Sequence, residues 1–292
     1  MFSGSMVALV TPFRNGNVDW DCLDKLVDMH IEAGTDVLVP CGTTGESPTL
    51  SYEEHERVIE QVIKRVDGKI PVMAGTGSNS TAEAILLTKH ARDAGAAGSL
   101  QVVPYYNKPT QEGMYLHFGK IAEACGDFPL VLYNIPGRCG VEMSVATITR
   151  LHKDYPSIVG VKHATGSIDG ASELLAVCPD IEVYSGDDSM TFPLMALGGK
   201  GVISVIANIM PKEVKALTDP ALKGNLCEAR KQHFALFGLA KAMLSLETNP
   251  IPIKTAMALM GLLTEEFRLP MCKMAPANKE KLRGIMTEAG LL

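Results

Sequence analysis

Short apolar runs alternate along the chain with amphipathic stretches. The runs cover 6–13, 37–42, 71–77, 99–105, 129–136, 158–165, 181–186 and 201–208. Each has strand length and carries Val, Ile or Leu on both parities, so both faces of the strand must be covered, as in a parallel sheet packed under helices. The stretches between them have helical spacing. Asp19 opens the first helix, and Ser51-Tyr52-Glu53-Glu54 and Ser80-Thr81-Ala82-Glu83 have the form of capping boxes for two more. Gly34, Gly95 and Gly199 fall where helices should end.

Eight strand–helix units predict an α/β fold, a closed (β/α)8 TIM barrel. An open doubly wound sheet is the alternative, weakened because no G-x-G-x-x-G opens a helix after the first strand. The strand pattern stops after Asp219. The expected organisation is a barrel over 1–224 that carries the active site, and a small helical segment over 225–292 broken at Asn249-Pro250-Ile251-Pro252 and at Leu269-Pro270.

Composition narrows the function more than the fold. A net charge of -6 argues against nucleic acid as a partner, since phosphate binding wants a basic face. The first six residues have no basic n-region, and the apolar stretch 256–263 is too short for a bilayer, so the expectation is a cytoplasmic protein with no membrane partner. The seven cysteines are scattered and never spaced C-x-x-C, which reads as reduced thiols. The seven histidines show no H-x-x-x-H or H-E-x-x-H spacing, so no metal site is expected.

In a barrel of this kind chemistry gathers at the C-terminal ends of the strands. Lys162 stands out there, inside Ile158-Val159-Gly160-Val161-Lys162-His163-Ala164, a run otherwise built for burial. A buried ammonium must find a partner or lose its proton, and a neutral amine is what imine formation with a carbonyl requires. Gly160 and Ala164, on the same face, would leave room for a substrate. The competing reading is a lysine that reaches a carboxylate or solvent at the strand mouth. Tyr133, near the end of another strand, could relay protons or be a core tyrosine bonded to backbone. Arg138, in Ile135-Pro136-Gly137-Arg138, could grip a carboxylate or lie on the surface. Gly42-Thr43-Thr44-Gly45-Glu46 could offer backbone N–H groups to an anion or be a plain turn; it lacks the P-loop lysine.

Taken together, Gly42-Thr43-Thr44-Gly45-Glu46, Tyr133-Asn134-Ile135-Pro136-Gly137-Arg138 and Gly160-Val161-Lys162-His163-Ala164-Thr165 resemble the signatures of the dihydrodipicolinate synthase family, in the N-acetylneuraminate lyase superfamily of class I pyruvate aldolases. Pro104-Tyr105-Tyr106-Asn107-Lys108-Pro109, Ser185-Gly186-Asp187-Asp188 and Asn249-Pro250-Ile251-Pro252-Ile253-Lys254 match as well, so the resemblance covers nearly the whole chain.

That resemblance implies a lyase of lysine (diaminopimelate) biosynthesis. Lys162 would form a Schiff base with pyruvate, and the resulting enamine would condense with L-aspartate 4-semialdehyde, with no cofactor beyond the imine. Tyr133, Thr44 and Tyr106 would form the proton relay, Tyr106 being supplied to a neighbouring subunit of a homotetramer built as a dimer of dimers. Thr43 and Thr44 would hold the pyruvate carboxylate, Arg138 the carboxylate of the semialdehyde, and Gly186 and Ile203 would add backbone contacts. In lysine-inhibited members lysine binds at the tight dimer interface, and the matching positions are Ser47, Pro48, Tyr52, His55, Asn79, Glu83 and Tyr105. Three positions depart from common family residues: His163 replaces an acidic residue, Cys139 a threonine, and Tyr52 a histidine. A sister aldolase acting on a sugar acid and a barrel-shaped binding protein that has lost chemistry are the competing functions; Arg138 and the threonine pair favour the synthase.

Overall fold

A computed structural model describes residues 2–292. Eight strands, β1 (Gly4–Ala8), β2 (Val37–Val39), β3 (Met73–Gly75), β4 (Gly98–Val102), β5 (Leu130–Asn134), β6 (Ile158–His163), β7 (Glu182–Ser185) and β8 (Gly201–Ser204), build one parallel sheet. Its two end strands meet: Leu38 bridges Val72 in parallel, and the Gly75 N–H donates to the Pro40 carbonyl at 2.9 Å. The sheet is therefore a closed barrel, which leaves no edge to pair with another chain. Helices α1 (Trp20–Ala33), α2 (Tyr52–Val66), α3 (Thr81–Asp93), α4 (Gln111–Cys125), α5 (Val145–Asp154), α6 (Ile168–Val177), α7 (Thr191–Ala196) and α8 (Pro211–Leu222) follow the strands in turn.

Every strand is shorter than its apolar run. The run 6–13 yields a ladder only to Ala8, and 201–208 one only to Ser204. The excess residues form the loops at the C-terminal mouth, and these are buried too: Leu9, Val10, Val205 and Ile206 are at most 6% exposed. Apolar patterning reports burial, not hydrogen bonding, so it runs on past the end of the ladder.

The helix starts behave as read, with one exception. Asp19 accepts the Cys22 N–H at 3.2 Å, and Ser51 and Glu54 form both halves of a capping box. At Ser80 only half the box forms. Its hydroxyl takes the Glu83 N–H, but the Glu83 carboxylate accepts from the Ser78 hydroxyl at 2.5 Å instead of turning back to the Ser80 N–H. That keeps the carboxylate at the head of α3, facing a cavity described below.

Inward side chains, among them Met6, Val39, Met73, Leu100, Val131, Tyr133, Tyr184 and Ile203, fill the barrel. Three further helices, α9 (Leu226–Ser245), α10 (Ile251–Leu259) and α11 (Pro276–Glu288), close the chain, with Asn225 capping α9. Their Leu239, Met243, Ile253, Met257, Leu282 and Met286 share one apolar core with Val7, Leu9, Leu38 and Val202 of the barrel. No helix among the described residues is long and apolar enough to cross a membrane.

One buried ion pair pins α10 to the barrel mouth. Lys254 Nζ lies 2.5 Å from Glu46 Oε1, with both side chains at most 2% exposed. The ammonium also sits 4.3 Å above the Phe13 ring, and the other Glu46 oxygen accepts the Arg268 N–H at 3.2 Å. Breaking such a pair strands a dry charge, whereas replacing both partners does not. Glu46→Gln is expected to lower unfolding stability by about 3–5 kcal/mol. Adding Lys254→Met should return most of that loss in urea titrations; equal losses in the single and double variants would contradict the assignment.

Candidate active site

Lys162 lies on β6, in register with Tyr133 of β5 and Tyr184 of β7, and points into the barrel mouth. It is 5% exposed, and no carboxylate lies within salt-bridge distance of it among the described residues. Its Nζ sits 4.2 Å above the centre of the Tyr133 ring. Burial pushes its pKa down from 10.5 to about 7; the charge of Asp188 opposes this and that of Arg138 adds to it. Near neutral pH a sizeable share of the amine is thus unprotonated and nucleophilic.

The backbone around the lysine is cut to fit it. A Cβ on Gly186 would stand 2.6 Å from the Ala164 methyl and 3.1 Å from Lys162 Cε, so only glycine leaves the side chain its place. At Gly160 a Cβ would come 2.7 Å from the Glu182 carbonyl oxygen and 2.9 Å from the Tyr184 ring, so its hydrogen makes room for the neighbouring strand and for that aromatic. His163, the next residue along, faces outward and bonds the 165–167 loop through Ser167 and Thr165, as strand alternation requires.

Tyr133 is 5% exposed. Burial pushes its phenol up to about 12, while the Arg138 charge and a hydrogen bond with the Thr43 hydroxyl pull it back. The phenol therefore keeps its proton at neutral pH and has a hydroxyl partner through which to pass it. That partner is Thr43, not Thr44 as expected for the relay. Consecutive residues of a tight turn project to different sides, and the Thr44 hydroxyl is turned to Asn249, whose Nδ2 donates to it at 3.0 Å. The turn itself is held by Gly45 N–H to Gly42 O at 3.0 Å and Glu46 N–H to Thr43 O at 3.1 Å. The Thr43 and Thr44 N–H groups find no acceptor among the described residues. Two free adjacent amides at a strand end suit a carboxylate.

Arg138 stands on a single helical turn, Pro136–Cys139, fixed by Asn134, whose side chain both donates to and accepts from the Met143 backbone. Its Nη2 donates to the Asn249 carbonyl at 2.8 Å. Beside it Cys139 is buried, its thiol pushed up to about 11 by desolvation, so it is inert at neutral pH. Ile203 is fully buried on β8, facing inward. Tyr106 does not reach this group within its own chain. It is 89% exposed at a φ of 70° and its side chain makes no hydrogen bond among the described residues.

A cavity of about 500 Å³ opens next to the site. Thr43 and Arg138 of the site line it, together with Ser47, Pro48, Tyr52, His55, Glu83 and Tyr105 among others. The expected regulatory residues are thus gathered around one space. Asn79 stands just behind, its amide on the Tyr105 carbonyl at 3.2 Å. The charge of Glu83 and its hydrogen bond raise the Tyr52 phenol.

Two further residues belong to the site. Asp188, part of a matching motif to which the sequence attaches no role, is buried, and its Oδ2 accepts the Val205 and Ile206 N–H groups at 2.8 and 3.1 Å, which pins the turn after β8 beside the lysine. Asn249 lies in a recognised motif, but its reach to Thr44 and Arg138 joins residues 205 and 111 positions apart, which no local pattern shows.

A parallel barrel whose mouth holds a dry amine, a protonated phenol against it and a turn of free amides has the equipment of the carbonyl-condensing barrel lyases. The chain belongs to the dihydrodipicolinate synthetase family, whose sequence model matches residues 1–289. It is 56% identical over 293 residues to the 4-hydroxy-tetrahydrodipicolinate synthase of Geotalea uraniireducens, across 100% of both chains. The crystal structure of dihydrodipicolinate synthase from Aquifex aeolicus superposes with a TM-score of 0.97 at 50% identity, covering 99% of each chain. The enzyme from Cyanidioschyzon merolae, solved with lysine bound, superposes with a TM-score of 0.96 at 41% identity, over 100% of this chain and 99% of that one.

Proposed function

We propose that this enzyme condenses pyruvate with L-aspartate 4-semialdehyde to give 4-hydroxy-tetrahydrodipicolinate, on the route to lysine. The observation that carries the reading is Lys162, a buried amine with no salt-bridge partner among the described residues and with a pKa lowered to about 7 by burial. Its nitrogen adds to the pyruvate ketone and water leaves, giving the imine. Loss of a methyl proton gives the enamine, whose carbon bonds to the aldehyde carbon while the aldehyde oxygen takes up a proton. The substrate amine then attacks the imine carbon, closes the ring and expels the Lys162 amine. The imine is the only prosthetic chemistry this sequence of steps uses.

The free amides of Thr43 and Thr44 suit the pyruvate carboxylate, and Arg138 suits the carboxylate of the semialdehyde. Tyr133 and the Thr43 hydroxyl carry protons between the reacting atoms and Tyr106. The reacting groups all come from the barrel, 1–224, and the segment 225–292 reaches the site through Asn249. The buried free cysteines suit a reducing, cytoplasmic setting.

Borohydride added with pyruvate should add to Lys162 the mass of pyruvate less one oxygen, read by peptide mass spectrometry. Because the neutral amine is the reacting form, the labelling rate should climb as pH rises through about 7 and then level off. An unmodified Lys162 would rule out the Schiff-base mechanism.

The exposure of Tyr106 supports its donation to a neighbouring subunit, within a homotetramer assembled as a dimer of dimers. Lys162→Met and Tyr106→Phe chains should each be poorly active. Mixed under subunit exchange they should regain activity, because the hybrid has one site with both residues; no recovery in verified hybrids would place Tyr106 outside the site.

The cavity beside the site supports L-lysine as a feedback ligand, its ammonium on Glu83 and its carboxylate on Asn79 and Tyr105. Initial rates at saturating pyruvate should fall as lysine rises to millimolar levels, and Glu83→Gln should weaken that response roughly tenfold or more, as expected for a lost charge-assisted contact. Unchanged rates at millimolar lysine would remove this role.

A further inference from the structure

The segment between α9 and α10 touches both halves of the site with one residue. Asn249 is 5% exposed. Its side-chain Nδ2 donates to the Thr44 hydroxyl at 3.0 Å, and its backbone carbonyl accepts from Arg138 Nη2 at 2.8 Å. Its other side-chain atom, Oδ1, is buried with no partner among the described residues. An unsatisfied buried amide oxygen costs stability, and an apolar residue of similar size would avoid that cost. The amide is thus poorly explained as a stabilising contact and well explained as a constraint on Thr44.

We propose that Asn249 is a positioning residue that holds the two carboxylate-binding elements in register, its side chain setting the pyruvate turn and its carbonyl setting the arginine for the second substrate. The inference rests on the assignment of Thr43 and Thr44 to pyruvate and of Arg138 to the semialdehyde. The two functions are carried by chemically separate parts of one residue. Truncating the side chain releases Thr44, and with it the orientation of the amides at 43 and 44, but leaves the carbonyl that Arg138 uses. The Glu46–Lys254 pair, two residues along the turn and five along the segment, ties the same two stretches of chain and keeps them apposed when the Asn249 side chain is gone.

The test is the split between the two Michaelis constants. In the full-length enzyme, Asn249→Ala should raise KM for pyruvate by roughly threefold to tenfold, the worth of one buried hydrogen bond. KM for the semialdehyde should stay within about twofold, since the Arg138 contact is to backbone. Thr44→Val should reproduce the pyruvate effect from the other side of the bond, and the double variant should be no worse than the poorer single one. Should the alanine variant fail to fold, Thr44→Val alone carries the same split. The inference is overturned if both constants rise together, if the two single effects multiply, or if melting temperature falls while both constants stay at wild type. Borohydride labelling at saturating pyruvate separates this from the wider reading. Labelled wild type with any of those three outcomes sinks Asn249 alone, whereas unlabelled wild type sinks the Lys162 mechanism and this inference with it.

Discussion

The site depends on one amine being kept dry and kept unpaired. Two lysines are buried among the described residues, and they show what each condition contributes. Lys254 is fully buried but has the Glu46 carboxylate 2.5 Å away, so desolvation, which lowers its pKa, is opposed by a partner in contact. Lys162 is almost as buried and has no such partner among the described residues; the carboxylate whose charge opposes its loss of a proton, Asp188, is itself occupied by two backbone N–H groups. The same physical cost of burial thus yields a structural cation in one place and a nucleophile in the other. The difference is made by where the carboxylates stand, not by the lysines.

Keeping Lys162 unpaired places demands on everything around it. The walls must be apolar or already satisfied, which the Tyr184 ring, the Tyr133 ring and the bonded Asp188 provide. The lysine must also keep its conformation without an ionic anchor. Contact does that work: the glycine at 186 lets the strand 7 turn close directly onto the lysine stem, so the amine is positioned by packing and remains chemically free. A site built this way gives up stability for reactivity.

The turn at 42–47 joins several parts of the molecule. Its first threonine meets the phenol, its second meets Asn249, its glutamate meets Lys254, and Ser47 lines the neighbouring cavity. A ligand in that cavity would press on the same few residues that orient the free amides of Thr43 and Thr44. Coupling between the two spaces therefore requires no large motion, only a small shift of a turn held at several points.

How far these features could be read from the sequence follows from the range of the forces behind them. The barrel was legible because burial on both faces leaves a mark in every strand, and the helix caps at Asp19 and Ser51 because they act over three residues. Strand ends were overrun because the mouth loops are as buried as the ladder, as Leu9 and Ile206 show. Lys162 was legible as a charge inside an apolar run. Lys254 was not, because its helix neighbours include Thr255 and Pro252, and nothing local says that Glu46, 208 residues away, waits for it. The exchange of roles between Thr43 and Thr44 has the same origin. Two adjacent identical side chains carry no local signal of which one faces the phenol; that is decided by the curl of the turn, and the curl is set by Thr11, Asn249 and Lys254 arriving from other parts of the chain. Local pattern can find the reactive group, but only the closed fold determines which hydroxyl serves it.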